Sequence, residues 1–246
     1  MPDKFGTIVV GGGPAGLTAA IALAAGGIPT ALVGKRPARP DNRTTALLAG
    51  SVTALEALGV WELCAAQSAP LRIMRIVDDT GRLWRAPEVK FDAAEIDLDA
   101  FGYNIANRDL VAALEQRARG LAGLTLIDDE VTALEPGDNT ASMTLKNGMT
   151  LRAPLVVAAD GRHSMARAAA GIKTNERQYK QVALTVTLRH SRPHRDTSTE
   201  LHTASGPFTL VPLPGQRSSL VWVLDPRQAD EIAALDDATL AGEIER

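Results

Sequence analysis

Three glycines, Gly11, Gly13 and Gly16, stand at G-x-G-x-x-G spacing in the stretch TIVVGGGPAGLTAAIALAAGGIPTALV. The spacing suits a pyrophosphate. The first glycine permits a tight turn, the second lets phosphate oxygens approach the backbone, and the third lets helix and strand pack closely. Pro14 and Ala15 then open a helix whose positive end faces the anion. An ordinary glycine-rich turn is the plain alternative, and the strand-then-helix context weighs against it. A second group, Asp160 with Gly161, Arg162, Ser164 and Arg167, follows another apolar run. An aspartate there is suited to accept from hydroxyls, and Arg167 to meet phosphate bidentately. A carboxylate for the ribose is expected ~20 residues beyond the glycines. Gly34 stands in its place, followed by Lys35 and Arg36, with Arg39 and Arg43 beyond. A missing carboxylate beside bases suits a phosphorylated ribose, hence NADP. The competing reading is a solvated basic loop, with the ribose held by some other group.

Thr7 to Val10 is a β-branched run without alternation, as in a parallel strand buried on both faces. A helix from Pro14 to Ala25 and a strand from Thr30 to Val33 complete a βαβ unit. Leu48, Val52 and Leu55 fall on one face of an expected helix over Thr45 to Leu58. The alternation in LRIMRIVDDTGRLWR then reads as an antiparallel hairpin turning at Asp78 to Gly81. Asn107 stands as N-cap of a helix striped by Leu110, Leu114, Ala118 and Leu121. Leu124 to Ile127, a meander turning at Pro136 to Asn139 and Asn147-Gly148, and a buried run Leu155 to Ala159 extend the first sheet. QVALTVTLRH, FTLVPLP and SSLVWVL are strand-like segments of a second, antiparallel sheet. The fold class is therefore α/β, with a Rossmann-type domain over 1–70 and 101–178 and an antiparallel-sheet domain over 71–100 and 179–246. The closing DDATLAGEIER starts an amphipathic helix and stops inside it, so the chain reads as an N-terminal piece.

The 246 residues, 45% hydrophobic and 22% charged, are neither disordered nor fibrous in type, and can bury a sizeable core. A formal charge of −3 gives no general attraction for nucleic acid or an anionic bilayer. Cys64 is the single cysteine, which excludes an internal disulfide and a cysteine metal cluster and suits the cytosol. No run resembles a signal peptide or a membrane span. His163, His190, His194 and His202 show no spacing that selects a metal or a triad, and surface or structural roles suffice for them. Trp84 and Trp222 read as packing for the second sheet, and Cys64 as a small core residue.

LVVAADGRHSMAR, a strand running into Asp160-Gly161 and a helix start, resembles the D-G motif of class A flavoprotein aromatic hydroxylases. DNRTTALLAGSVTALEALGVW is similar to the arginine-bearing loop and helix of that superfamily. RIVDDTGRLWRAPEVKFDAAEIDLDAFGYNIANRDLVAAL and GPFTLVPLPGQRSSLVWVL resemble its ubiquinone-biosynthesis branch, the polyprenylphenol hydroxylases. The resemblance spans almost the whole chain. It implies FAD in the glycine crevice, with NAD(P)H as a transient reductant. Arg43, Asn107 and Arg108 would lie near the FAD pyrophosphate and ribityl chain. Gly34 departs from the family, whose members commonly carry a glutamate there. The later G-D motif, whose aspartate meets the ribityl chain, is missing, so a piece ending here would hold FAD poorly and perform no hydroxylation.

The implied reaction is reduction of FAD, uptake of O₂, and transfer of oxygen from a C4a-hydroperoxyflavin to the ring of an electron-rich phenol. The cofactor carries that chemistry while the protein orients the ring and excludes water. A polyprenylated substrate would sit in the bilayer, so peripheral membrane contact or a biosynthetic complex is a further expectation. Two alternatives stay open: an NADP-dependent Rossmann reductase, motivated by Gly34, Lys35 and Arg36, and a non-catalytic accessory protein that keeps the flavin fold.

Overall fold

The computed structural model describes residues 5–35 and 41–245; Arg36 and Arg39 of the basic run lie outside them. The chain begins with β1 (Thr7–Val10), α1 (Pro14–Ala25) and β2 (Thr30–Val33), the βαβ unit at its expected bounds. β3 (Thr44–Leu48) and α2 (Ala49–Ala57) follow, then β4 (Ser68–Pro70), β5 (Ile73–Asp79), β6 (Val89–Asp92) and β7 (Gly102–Ala106). Next come α3 (Asn107–Arg119), β8 (Leu124–Ile127), β9 (Val131–Glu135), β10 (Ala141–Leu145), β11 (Thr150–Ala153), β12 (Leu155–Ala158) and α4 (Met165–Ala169). The last elements are β13 (Val182–Arg189), β14 (Thr197–Thr203), β15 (Pro207–Leu213), β16 (Arg217–Leu224), α5 (Pro226–Ala233) and α6 (Asp237–Glu245).

These form two compact units, Met1–Asp41, Ser51–Ala65 and Asn107–Glu176 on one side and Asn42–Gly50, Ala66–Ala106 and Arg177–Arg246 on the other. The second unit thus takes residues 42–50, 66–70, 101–106 and 177–178, which the sequence reading gave to the first. In the first unit a parallel sheet has the order β12-β1-β2-β8. One of its faces, with Ile8, Val10, Ala31 and Val33, packs on Met143, Leu145, Leu151 and Ala153 of the antiparallel β11-β10-β9 meander. Helices α1 and α3 pack against each other and against the strands, burying Leu17, Ile21, Leu110 and Leu114. Full burial of each such side chain contributes roughly 1.5–3 kcal/mol. β12 is an edge strand, which is why Leu155 is half exposed where a buried run was expected.

The second unit holds a six-stranded sheet, β13-β16-β15-β14-β5-β6, and a three-stranded one, β3-β7-β4. All neighbours in the larger sheet are antiparallel except β14 and β5, which pair parallel. Three expectations are corrected here. Thr44–Leu48 is a strand rather than the first turns of a helix, because it pairs with β7, where Gly102 lets Leu47 approach: a Cβ there would meet the Leu47 carbonyl oxygen at 2.0 Å. The return strand of the hairpin is β6, not Arg82 to Arg85, because the Asp78 carboxylate ties a wider loop. It accepts from the Thr80 hydroxyl at 2.7 Å and amide at 3.1 Å, and from the Ala86 amide at 2.9 Å. That loop leaves Trp84 88% exposed, so it packs no sheet, whereas Trp222 stacks edge-on against Phe208 with ring centroids 5.3 Å apart. Cys64 is buried after a 3-10 turn.

Candidate functional site

The carboxyl ends of parallel strands are where ligands sit in open α/β sheets. Here the ends are tied in register: Gly11 N–H donates to the Val33 carbonyl at 2.8 Å, Gly34 N–H to Ile127 at 3.1 Å, and Ala159 N–H to Val10 at 2.8 Å. Gly11 has φ +119°, and a Cβ on it would meet the Ala159 oxygen at 2.1 Å. A Cβ on Gly16 would lie 1.8 Å from the Gly11 oxygen, so both glycines are fixed by backbone packing. Gly13 differs. It is the N-cap of α1, it is exposed, and a Cβ on it would meet nothing within 4 Å. Pro14 occupies the first helical turn and Ala15 is exposed, so the free N–H groups of that turn open outward.

Gly34 is more than a carboxylate left out. A Cβ on it would lie 2.2 Å from the Gly12 nitrogen and 2.6 Å from Gly12 Cα. The end of β2 therefore runs against the glycine turn itself, and no side chain fits without moving the backbone.

A cavity of about 480 Å³ lies over this turn. It is lined by Gly11, Gly12 and Gly13, by Gly34 and Lys35, by Asp129 to Val131, and by Asp160, Gly161, His163 and Met165. Sequence reasoning did not single out Asp129 to Val131. Their position just after β8, the strand beside β2, and at the start of β9 is the signal that finds them. His163 also faces the cavity, although a surface or structural role had sufficed for it.

Asp160 ends the edge strand side of the site. Its Oδ2 accepts from the Ala166 amide at 3.1 Å, and its Oδ1 is buried with no hydrogen-bond partner. Burial pushes the carboxyl up, but the Ser164 hydroxyl and the amides around Ala166 outweigh it and hold it below its ordinary value. Ser164 also caps α4 by accepting from the Arg167 amide at 2.9 Å. Gly161 has φ +82°, which favours glycine.

The remaining expected residues stand elsewhere. Arg167 donates to the Arg162 carbonyl at 2.7 Å and lines a separate cavity of about 560 Å³ beside the meander with Asp160 and Gly161. One of its guanidinium N–H groups thus holds the shape of the turn, and Arg167 is not among the residues that line the cavity over the glycines. Asn107 begins α3 and donates Nδ2–H to Asp41 Oδ2 at 2.8 Å. Arg108 is exposed beside Asp109, 3.6 Å away. Arg43 is exposed and belongs to the second unit. Of the second-unit histidines, His202 meets Glu200 at 2.7 Å, while His190 and His194 sit in the β13–β14 connection.

An unpaired buried carboxylate oxygen and open amides over a turn too tight for side chains fit a dinucleotide whose hydroxyls and pyrophosphate they would meet. No helix among the described residues is long and apolar enough to cross a membrane.

The ubiquinone hydroxylase UbiL of Rhodospirillum rubrum is 35% identical over 252 residues, covering 99% of this chain and 58% of that protein. The 3-demethoxyubiquinol 3-hydroxylase of Escherichia coli is 33% identical over 245 residues, covering 96% of this chain and 61% of that protein. The chain therefore spans about 60% of the length of these curated relatives. Among solved structures, Pseudomonas aeruginosa PqsL with 2-aminobenzoylacetate superposes with a TM-score of 0.77 at 21% identity, over 93% of this chain and 63% of that one. Klebsiella pneumoniae HpxO complexed with FAD and uric acid gives 0.74 at 20% identity, over 90% of this chain and 56% of that one. These two likenesses concern the fold. The model of the FAD binding domain matches residues 4–245, and the chain belongs to that family.

Proposed function

We propose that this chain is the flavin-binding and part of the substrate-binding portion of a monooxygenase that hydroxylates the ring of a polyprenylated phenol in ubiquinone synthesis. The observation that carries the reading is the cradle: a cavity over Gly11 to Gly13 with the buried, unpaired Asp160 Oδ1 at its edge. The amides of Gly13, Ala15 and Gly16 would face the pyrophosphate, and Lys35 adds positive charge on the same cavity. Asp160 would accept from a ligand hydroxyl and Gly161 would keep the turn open beside it. Arg167 supports that turn through the Arg162 carbonyl. Arg43, Asn107 and Arg108 are assigned to the pyrophosphate and ribityl side by the family resemblance. FAD, when bound, supplies the redox chemistry with O₂, and NAD(P)H serves as its reductant.

The second unit's contribution would be an apolar wall. Met74, Ile76, Val89 and Phe91 share one face of the β5–β6 pair, with Met74 opposite Phe91 and Ile76 opposite Val89. All four are 37–47% exposed, which is unusual for such side chains in a paired row and suits a hydrocarbon-bearing phenol. Such a wall would orient the ring and exclude water.

Titrating FAD into this chain and into the longer natural protein, followed by visible absorbance and flavin fluorescence, tests the reading. Flavin bound by the longer protein, with phenol-dependent O₂ uptake and NAD(P)H oxidation, is the expected result. Flavin binding by neither would remove it. A second reading, NADP binding, rests on Lys35 lining a cavity from which Gly34 excludes a carboxylate; tight NADPH binding without flavin would favour it.

A further inference from the structure

One face of the six-stranded sheet in the second unit carries a cavity of about 870 Å³. Its floor is set by strand register. Ile73 pairs with Thr197, Arg75 with Thr199, and Thr199 with Leu210, so these side chains emerge together, with Ser218 of β16 nearby. Its rim is the last residue of β13 and the β13–β14 connection, which together read RHSRPHR from Arg189 to Arg195.

The charge in this place is not balanced. Arg75 and Lys90 share Glu88, at 2.8 and 3.1 Å. Arg189, Arg192 and Arg195 also line the cavity, and among the described residues their side chains make no hydrogen bond or ion pair. Glu245 of α6 is the one carboxylate on the lining. A chain of net charge −3 has acid to spare, so three unneutralised guanidiniums on one rim are not a consequence of composition. Gathering them costs Coulomb repulsion that a bound anion would relieve.

The rim is also braced. His194 donates Nε2–H to the Leu213 and Gly215 carbonyls at 3.1 and 2.9 Å and accepts from the Asp196 amide at Nδ1, 3.0 Å away. His190 donates Nδ1–H to the Arg192 carbonyl at 2.5 Å, while its Nε2 meets the Ser218 hydroxyl at 3.1 Å. Both imidazoles are thus occupied in holding the loop to the sheet. Arg195 and Asp196 are held at φ +52° and +55°, a left-handed pair that non-glycine residues seldom adopt.

Size decides what the anion carries. Ligand cavities run to roughly 300–1,000 Å³, so a lone phosphate would leave the apolar Ile73, Leu188 and Leu210 lining facing water. We propose that this cavity binds a phosphate ester with an apolar moiety. Arg189, Arg192 and Arg195 meet the phosphate, the Thr199 hydroxyl donates to one of its remaining oxygens, and Ile73, Leu188 and Leu210 cover the rest. Guanidinium forks suit phosphate oxygens better than any other side chain. The inference does not rest on the flavin crevice, which lies in the first unit.

The ester can come from solution or from a lipid headgroup, and two probes separate these sources. The full-length protein, saturated with FAD, is titrated calorimetrically with inorganic pyrophosphate and sedimented with vesicles of equimolar phosphatidylcholine and phosphatidylglycerol, pure phosphatidylcholine serving as the blank. The double variant Arg192→Ala, Arg195→Asn removes two rim charges, and asparagine tolerates the left-handed backbone. Arg152→Gln with Lys173→Gln removes the same charge from exposed sites in the first unit. Wild type and this control should bind one of the probes, less tightly as salt rises, and the rim variant should bind about ten-fold or more weakly. Pyrophosphate binding assigns a soluble ester, and vesicle binding alone assigns the headgroup. Binding of neither probe by wild type, or equal binding by the rim variant, overturns the proposal. Should the double variant not fold, Arg189→Gln alone must show the same loss.

Discussion

Gly34 and Gly13 should give opposite outcomes when each gains a side chain. On Gly34 a Cβ would sit 2.2 Å from the Gly12 nitrogen, 2.6 Å from Gly12 Cα and 3.0 Å from the Gly11 carbonyl carbon. All three neighbours are backbone, so none can rotate away. β2 and the glycine turn must separate by about an ångström, and overpacking of this kind costs about 1–3 kcal/mol. Because 1 kcal/mol lowers the Tm of a chain this size by roughly 2–4 °C, Gly34→Ala should melt about 5 °C or more below wild type. Gly13 has extended backbone, φ −79° and ψ 178°, and open space where its Cβ would go. Gly13→Ser places a favoured N-cap on α1, so Tm should hold or rise. The same side chain enters the space over the turn, and FAD affinity should fall about ten-fold, or 1.4 kcal/mol. Thermal unfolding followed by circular dichroism reads the first effect, and FAD fluorescence titration the second. A wild-type Tm for Gly34→Ala would refute the close approach of β2 to the turn. Undiminished FAD affinity in Gly13→Ser would refute the placement of the flavin over it.

Three further outcomes are expected. Hydrogen bonds hold the Asp160 carboxyl below its ordinary value against the upward push of burial, so its stabilisation is complete above the ordinary value of 3.8 and is lost as pH falls through the folded one. Asp160→Asn should therefore flatten the acid limb of Tm against pH and weaken FAD retention; an acid limb identical to wild type would count against the assignment. The Ala86 amide, with the Thr80 hydroxyl and amide, holds Asp78 down to about 2, so its loop should stay tied above the ordinary value of 3.8 and loosen toward pH 2. Asp78→Ala should speed tryptic cleavage after Arg82 and Arg85 at neutral pH, and cleavage no faster than in wild type would show that the carboxylate does not tie the loop. Burial, with a smaller contribution from Asp109, pushes the Cys64 thiol up, and its S–H donates to the Val60 carbonyl at 3.7 Å. It should resist a disulfide reagent at pH 8 until the chain is unfolded; prompt reaction in the native protein would contradict its burial.

Local chemistry fixes some elements wherever the chain is read. β1, α1 and β2 follow from an unalternated β-branched run, a proline at a helix start and glycines at its end, and each signal acts over a few residues. The meander turns at Pro136 to Asn139 and Asn147-Gly148 are of the same kind, because turn residues carry their own backbone preference. The two ends of the crevice, the glycine turn and Asp160-Gly161, were readable for this reason.

Other features exist only once distant segments meet. Thr44–Leu48 carries a helical stripe through Leu48, yet it pairs as a strand because β7, nearly sixty residues later, offers Gly102 as a close neighbour. Asp129 to Val131 enter the glycine cavity because β8 lies beside β2. Sequence shows that residue 34 lacks a carboxylate. Only the fold shows that the Gly12 backbone occupies the place a side chain would need. Composition likewise reports a chain of net charge −3, while pairing of β5 with β14 decides that Arg75 and Lys90 join the arginines of the β13–β14 connection. Propensity and spacing act along the chain, whereas steric exclusion and electrostatic focusing act through space, and long-range pairing alone brings their partners within reach.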